Sequence, residues 1–239
     1  MTVMTYSYDY PRPSVTVDVV VFGLDMQGAP ELSVLLIKRG SRSGAFDGCW
    51  ALPGGFVGEH EDLDDAAFRE LREETHAEPT YVEQLATFGT PGRDPRGHVI
   101  SVAYMALTRT DAVTIEGDDD AEEAAWFPIT EVEQMTLAFD HGDIVRTATR
   151  RLRSKLQWQP IGIDLLPEAF AIDDLQRVYE TVLGRQLNRR NFYRKVMSYG
   201  VLESAESIRT GGRGRPPRLW RFDRSAYELL VEEGQDFEL

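Results

Sequence analysis

The chain has 239 residues, a formal net charge of −14 and one cysteine, Cys49. One cysteine excludes an internal disulfide, and the sequence shows neither a secretory signal near its beginning nor an apolar run of membrane-spanning length. These features predict a cytoplasmic protein, and the negative charge taken alone argues against a nucleic-acid partner.

Two β-branched apolar runs lie near the beginning of the chain. They cover Ser14–Phe22 and Leu32–Lys38, and they are separated by a turn, so they predict two paired core strands. Lys38 and Arg39 lie where the second strand ends. They could bind the phosphate of a ligand, or they could form a solvated strand end.

A glycine-rich turn and an acidic helix follow over Gly54–Ala77 (GGFVGEHEDLDDAAFRELREETHA). Asp62 is expected to cap this helix, which ends near Thr75. At 100° per residue, three glutamates share one arc with apolar residues and so lie on or beside the inward face: Glu70, Glu73 and Glu74. Arg69 alone cannot neutralise them, whereas Mg²⁺ with oxygen ligands can. The helix therefore predicts a Mg²⁺ site, with a solvated acidic helix as the alternative.

The spacing of this stretch resembles the Nudix signature: Gly, five residues, Glu, seven residues, then Arg-Glu-apolar-x-Glu-Glu-x-Gly-apolar. The matching residues are Gly55, Glu61, Arg69, Glu70, Leu71, Glu73, Glu74 and Ala77. His76 replaces the second glycine, a position that commonly needs a positive φ, so the departure concerns loop geometry rather than the carboxylates. The resemblance implies an N-terminal Nudix α/β/α sandwich with a mixed sheet. It also implies that Gly54 and Gly55 contact the ligand, while Arg69 and the three glutamates are the catalytic candidates.

Two further strands are predicted at Tyr81–Phe88 and His98–Leu107, joined by a tight loop with the sequence PGRDPRG. Arg93 and Arg96 in this loop could bind a phosphate or form a dimer contact. Alternatively, Asp94 could hold one of them in a structural ion pair.

An acidic segment at residues 116–123 precedes a short strand signal at residues 124–129. Glu122 and Glu123 are candidates for a catalytic base on the Nudix resemblance alone, and a solvated acidic loop is the alternative. Residues 139–158 then predict a long helix that closes the first domain.

The second half of the chain carries a basic segment, since Arg185 to Arg224 contains eleven Lys or Arg against three acidic residues. An amphipathic helix at Asp173–Leu183 is followed by a helix that Asn188 can cap, and two strands flanking GGRGRPPR complete a winged helix-turn-helix. The charge favours a polyanion, and the residues suit duplex DNA. A solvated basic surface, or RNA binding through the same charge, is the alternative. The DNA-contacting candidates are Arg189, Arg190, Asn191, Arg194, Lys195, Arg213, Arg215 and Arg218.

This combination of an α+β Nudix-like domain and a winged helix resembles the Nudix-related transcriptional regulators of NAD metabolism, the NrtR family. The resemblance covers nearly the whole chain, including the loop PGRDPRG, the segment AFDH at residues 138–141 and RNFYRK at residues 190–195. The prolines and the break in periodicity after residue 158 place a linker at residues 159–172, between a sensing domain at residues 1–158 and a DNA-binding domain at residues 173–239.

In this family the Nudix domain senses ADP-ribose or a related nucleotide, and the winged helix represses genes of NAD synthesis or salvage. A homodimer on a palindromic operator is expected from two-fold symmetry. A ligand can control DNA binding only if the sensing domain contacts a segment whose position changes. The helix after Phe139 and the linker are the candidates for this segment. The alternative function is a Mg²⁺-dependent ADP-ribose pyrophosphatase with an accessory nucleic-acid-binding domain.

Overall fold

The computed structural model describes residues 8–26, 30–40, 44–76, 79, 81–113, 121–205 and 218–234. Seven strands of the described chain form one sheet, ordered β3-β2-β1-β6-β5, with β4 also pairing with β1 and β7 with β2. β1 runs parallel to β6 and antiparallel to β2, so the predicted mixed sheet is confirmed. The strands are β1 (Ser14–Asp25), β2 (Glu31–Arg39), β3 (Trp50–Ala51), β4 (Gly54–Phe56), β5 (Tyr81–Phe88), β6 (Val99–Arg109) and β7 (Ala121–Pro128).

The alternation of side chains along β1 explains why this sheet is covered on both faces. Three valines of β1 pack in one cluster with helix α1 (Leu63–Thr75): Val17, Val19 and Val21. The intervening residues Val20, Phe22 and Leu24 pack in another cluster with helix α3 (His141–Lys155), which follows the short helix α2 (Ile129–Val132). The first part of the chain is therefore the predicted α/β/α sandwich.

Local signals define the ends of α1 as the sequence predicts. Asp62 is the N-cap and accepts a hydrogen bond from the backbone N–H of Asp64 at 3.3 Å. The helix ends at Thr75, and His76 adopts a left-handed conformation with φ of 52°. The histidine thus takes the conformation for which glycine is preferred at this position.

The second part of the chain has the order of a winged helix: α4 (Ile172–Leu183), α5 (Arg189–Ser198), β8 (Leu202–Ala205), β9 (Leu219–Phe222) and α6 (Arg224–Glu232). Asn188 caps α5 by accepting from the N–H of Asn191. The rings of Tyr179 and Phe192 pack edge to face with centroids 5.5 Å apart and join α4 to α5. β8 and β9 pair antiparallel, which confirms the predicted winged-helix fold.

The segment expected to link the two parts is itself folded. It contains a 3-10 helix, Ile161–Leu165, in which Ile161 and Leu165 are buried. Phe170 exchanges two backbone hydrogen bonds with Trp220 of β9, at 3.0 and 2.8 Å. One apolar cluster runs from the sheet through α3 and this segment to α4, α5 and Trp220, so the two parts share a continuous core. None of the helices in the described ranges could cross a bilayer.

Candidate functional site

A cavity of about 100 Å³ lies where β1, the turn before β4 and the loop of residues 91–97 meet. It brings together five of the predicted ligand-binding residues: Arg39, Gly54, Gly55, Arg93 and Arg96. The sixth, Lys38, is not part of the lining; its Nζ lies 3.8 Å from a carboxylate oxygen of Glu123. Three guanidinium groups at one cavity make this an anion-binding candidate.

Arg93 is the most enclosed of these arginines, with a side chain only 4% exposed. Its Nε and one terminal nitrogen donate to the two carboxylate oxygens of Asp140 at 2.9 and 2.5 Å, and Asp18 lies 3.5 Å away. Burial alone would lower the pKa of Arg93, but its hydrogen bonds to Asp140 and the charge of Asp18 outweigh burial and raise it. Arg93 is therefore a fully charged group whose fork is already occupied.

Arg96 and Arg39 lie at the mouth of the cavity. Arg96 forms a bidentate ion pair with buried Asp94. This is the ion pair within the loop that the sequence analysis gave as the alternative to phosphate binding. Arg39 donates from Nε to the carbonyl of Ala45 at 3.0 Å. Burial and the neighbouring charge of Arg96 lower the pKa of Arg39. Both guanidinium groups stack near the ring of Phe139, at 4.9 and 5.3 Å from its centroid.

A buried polar network under the cavity contains residues that sequence reasoning did not select. Asp18 accepts a short hydrogen bond from the hydroxyl of Ser101 and lies 3.4 Å from His141 Nε2. His141 accepts from the backbone N–H of Leu52 at Nδ1, at 2.9 Å, and burial lowers its pKa, so the imidazole is neutral. A single aspartate within the apolar run of β1 was the signal that could have identified this network.

The acidic face of α1 is organised around Arg69. Its guanidinium contacts Glu61 at 2.7 and 2.9 Å, Glu70 at 2.7 Å and Glu73 at 3.1 Å. The hydrogen bonds from Arg69 hold the pKa of Glu61 at about 2. Glu74 is left without this cation: it accepts from the N–H of Gly54 at 2.8 Å, and burial raises its pKa to about 8. Burial also raises the pKa of Glu70.

The glutamates of α1 have the right oxygen donors for a divalent cation, but their side chains do not form a complete binding site. Glu70 and Glu74 supply the hard carboxylate oxygens that such a cation binds. Burial raises the pKa of both side chains, so nearby positive charge does not fully offset the cost of burying their ionised forms. Glu73 contacts the same terminal nitrogen of Arg69 as Glu70 does, and its side chain is 61% exposed. Across the described ranges, no three His, Cys, Asp or Glu side chains are grouped in a way that could hold a metal. Two carboxylates are nevertheless a sufficient protein contribution for Mg²⁺ that is also bound by substrate phosphates.

Several other candidates fall outside this pocket or outside the described residues. Glu123 pairs with Lys38. Glu122 belongs to β7, but its side chain lies outside the described part of the structure. The predicted wing arginines Arg213 and Arg215 also lie outside the described residues.

The exposed side of α5 carries the remaining predicted DNA contacts. Its inward side buries Phe192 and Val196, while Arg190, Arg194 and Lys195 are exposed and pair with no carboxylate among the described residues. Asn191 accepts a long contact from Arg194 at 3.4 Å. Basic side chains free to meet phosphates are what a recognition helix requires.

Arg189, at the start of α5, and Arg218, beside β9, extend this basic surface towards the wing. Arg189 is tied to Asp173 of α4 by contacts of 2.9 and 2.6 Å. Arg218 lies 4.5 Å above the ring of Trp220, and its Nε donates to Ser204 at 3.2 Å. A surface cavity of about 560 Å³ is lined by both arginines together with Arg190 and Tyr193. Arg189 and Arg218 are thus held in place beside the exposed face of α5.

Comparison with known proteins assigns both parts of the chain. Residues 12–148 match the NUDIX domain, and residues 162–222 match the NrtR DNA-binding winged helix domain. The chain is 36% identical over 223 residues to the ADPR responsive transcriptional repressor NtrR of Acinetobacter baylyi, covering 92% of this chain and 86% of that protein. It is 37% identical over 143 residues to an ADP-ribose pyrophosphatase of Methanocaldococcus jannaschii, covering 59% of this chain and 76% of that protein.

Solved structures of Shewanella oneidensis NrtR show the same architecture. The structure complexed with a 27mer DNA superimposes with a TM-score of 0.77 and 33% identity, covering 90% of this chain and 95% of the other. The NUDIX domain of that protein complexed with ADP ribose gives a TM-score of 0.54 and 38% identity, covering 61% of this chain and 94% of the other. The sequence signature, the fold and these matches agree: this chain belongs to the NrtR family, in which a NUDIX domain is joined to a DNA-binding winged helix.

Proposed function

We propose that this protein is a transcriptional repressor that binds duplex operator DNA through α5 and releases it in response to ADP-ribose or a related NAD-derived nucleotide. The observation that carries this proposal is the exposed basic face of α5. Arg190, Arg194 and Lys195 of this face pair with no carboxylate among the described residues, in a chain whose net charge is −14. The similarity to an ADPR responsive repressor over 92% of the chain supports the same function.

The NUDIX pocket and the basic face of α5 lie in different parts of the chain, so each part would have its own role. Residues 1–158 would form the sensing domain and residues 173–239 the DNA-binding domain, with residues 159–172 connecting them. Two copies related by a two-fold axis would place their α5 helices in successive major grooves of a palindromic operator. The proposed targets are genes of NAD synthesis or salvage, and a regulator of such genes would act in the cytoplasm.

The NUDIX pocket suits a pyrophosphate flanked by ribose and adenine. Arg39 and Arg96 at the mouth would contact phosphate oxygens, and the buried charge of Arg93 would add to the attraction. The aromatic rings of Phe46, Phe56 and Phe139 surround these arginines and offer faces for stacking. Glu70 and Glu74 would hold Mg²⁺, which would supply positive charge to the ligand's phosphates.

A second candidate activity is hydrolysis of ADP-ribose in the same pocket. The similarity to an ADP-ribose pyrophosphatase and the complete set of signature glutamates favour it. In that reaction the residues around Mg²⁺ would orient water and the chain's arginines would stabilise the charge that develops on the phosphates. Regulation remains the main proposed role, because the winged helix with its basic face has no part in hydrolysis.

A gel-shift titration on the DNA upstream of its own gene tests both functions. We expect a specific shift that ADP-ribose reverses, measured with and without Mg²⁺, while the same tubes are assayed for AMP and ribose 5-phosphate. Reversal without product supports a sensor. No shift at any salt concentration, together with rapid Mg²⁺-dependent product formation, would replace the repressor with an enzyme.

A further inference from the structure

The guanidinium of Arg93 meets a carboxylate of its own chain where a ligand phosphate would bind. Asp140 presents two oxygens to Nε and a terminal nitrogen of Arg93, at 2.9 and 2.5 Å. A bound phosphate presents the same pair of oxygens to an arginine fork. Asp140 and a ligand phosphate therefore cannot occupy that fork together.

Asp140 also belongs to the elbow that begins α3, defined here as residues 138–141. Ala138 donates its N–H to the carbonyl of Trp50 at 2.8 Å, and His141 accepts from Leu52. Between them Phe139 has a φ of 52°, which is unfavourable for a bulky residue. The ring of Phe139 lies against the two arginines at the cavity mouth and against the rings of Phe46 and His141. Among the described contacts of the elbow, the ion pair of Asp140, the hydrogen bond of His141 and the packing of Phe139 thus all involve residues that line the pocket.

The opposite end of α3 contacts the DNA-binding part. Arg153 donates from Nε to the carbonyl of Val182, in the last turn of α4, at 3.0 Å. Leu156, which follows α3, packs at Gly162, where an added Cβ would lie 3.0 Å from its side chain and 3.1 Å from the ring of Tyr179. α3 is a regular helix of 15 residues that joins the elbow to these contacts, so it is the element through which a change at the elbow could reach α4.

We propose that Asp140 is an internal competitor of the ligand's pyrophosphate for Arg93, and that its displacement is the signal α3 transmits to the DNA-binding helices. The proposal rests on the function proposed above and specifies how the pocket controls it. In the ligand-free arrangement the Arg93–Asp140 pair holds the elbow. When a phosphate takes the fork, Asp140 is expelled and the elbow is released.

The test uses Asp140→Asn, with Asp143→Asn as the matched control in the first turn of the same helix. Asp143 is exposed and pairs only locally, with Arg146. Asparagine offers Arg93 one neutral oxygen, so the ligand faces weaker competition. We expect Asp140→Asn to bind ADP-ribose about tenfold more tightly and operator DNA about tenfold more weakly without ligand, within the 5–150-fold span of typical coupling. Calorimetry and fluorescence anisotropy measure the two affinities, and Asp143→Asn should match the wild type in both.

A second pair of variants tests transmission without altering the pocket. Arg153→Gln removes the contact to Val182, and Arg150→Gln removes an exposed arginine of α3 whose only described contact is to Thr147. We expect Arg153→Gln to bind ADP-ribose within about twofold of wild type. In this variant, the ratio of the DNA dissociation constants with and without saturating ADP-ribose should be at least about threefold smaller than in the wild type. Arg150→Gln should retain the wild-type ratio.

The outcomes separate this inference from the proposed function. A wild-type protein that binds no ADP-ribose, or whose DNA binding ignores it, contradicts the function itself. If the wild type responds but Asp140→Asn has wild-type affinities for both ligands, internal competition is refuted. If Asp140→Asn binds ADP-ribose more tightly with unchanged DNA affinity, or Arg153→Gln keeps the full response, transmission through α3 is refuted.

Discussion

Replacing Glu74 with glutamine should change how the stability of this protein depends on pH. In the folded chain, burial raises the pKa of Glu74 from 4.5 to about 8. The folded protein therefore keeps a proton that the unfolded chain has lost between these values, so the free energy of unfolding falls as pH rises through this window. At about 1.4 kcal/mol per pKa unit, the loss over the whole window is about 5 kcal/mol.

Glutamine does not titrate, and its side-chain oxygen can still accept from Gly54. Glu74→Gln should therefore have about the same free energy of unfolding as the wild type near pH 5 and exceed it by about 4 kcal/mol above pH 8, because about 1 kcal/mol of the loss falls below pH 5. Urea unfolding between pH 5 and 9 with EDTA present measures this difference, and other titrating groups cancel because they are common to both proteins. Glu131→Gln, on the exposed side of α2, is the control and should show no such trend.

Mg²⁺ offers an independent check on the same residue. At pH 8.5 the ion would replace the missing proton as the compensating charge, so it should stabilise the wild type more than Glu74→Gln. A stability difference between the two proteins that stays constant from pH 5 to 9 would refute the reasoning, because it would mean that Glu74 is ionised throughout.

Three further predictions concern the DNA surface and two close approaches in the fold. Arg194→Gln should weaken DNA binding at all sequences and reduce the slope of log K against log salt concentration by about 1, measured by anisotropy. Gly54→Ala should destabilise the protein by at least ~2 kcal/mol, because its Cβ would lie 2.1 Å from the carbonyl oxygen of Val17. Gly162→Ala should cost about 1 to 3 kcal/mol, since its Cβ would crowd the fully buried ring of Tyr179.

Matched controls make these three outcomes decisive. Arg146→Gln removes an exposed arginine of α3 and should leave the salt slope unchanged. Gly89→Ala would meet only the side chain of Ile100, at 3.5 Å or more, so thermal unfolding should show little effect. Equal slopes for the two arginine variants would contradict the role of α5, and equal stabilities for the glycine variants would contradict the packing argument.

The sequence by itself determined features set within a few residues of one another. Asp62 caps α1 and Asn188 caps α5 because each side chain reaches an N–H two or three positions ahead. The apolar periodicities predicted the strands and α4, and the spacing of the glutamates identified the NUDIX helix. Such local signals require no knowledge of how distant segments meet.

Only the tertiary structure decided which charged side chains form ion pairs with residues distant in the sequence. Arg93 and Asp140 are 47 positions apart, and Asp18 and Ser101 are 83 apart. Asp18 and Ser101 meet because β1 and β6 lie side by side in parallel, and Arg93 and Asp140 meet where the loop of residues 91–97 reaches the start of α3. The sequence could not show that Arg93 pairs with Asp140, that Glu70 and Glu73 share the guanidinium of Arg69, or that the segment between the two parts buries apolar residues in the core. The physical reason is that burial and pairing depend on the packing of elements, which no single segment encodes.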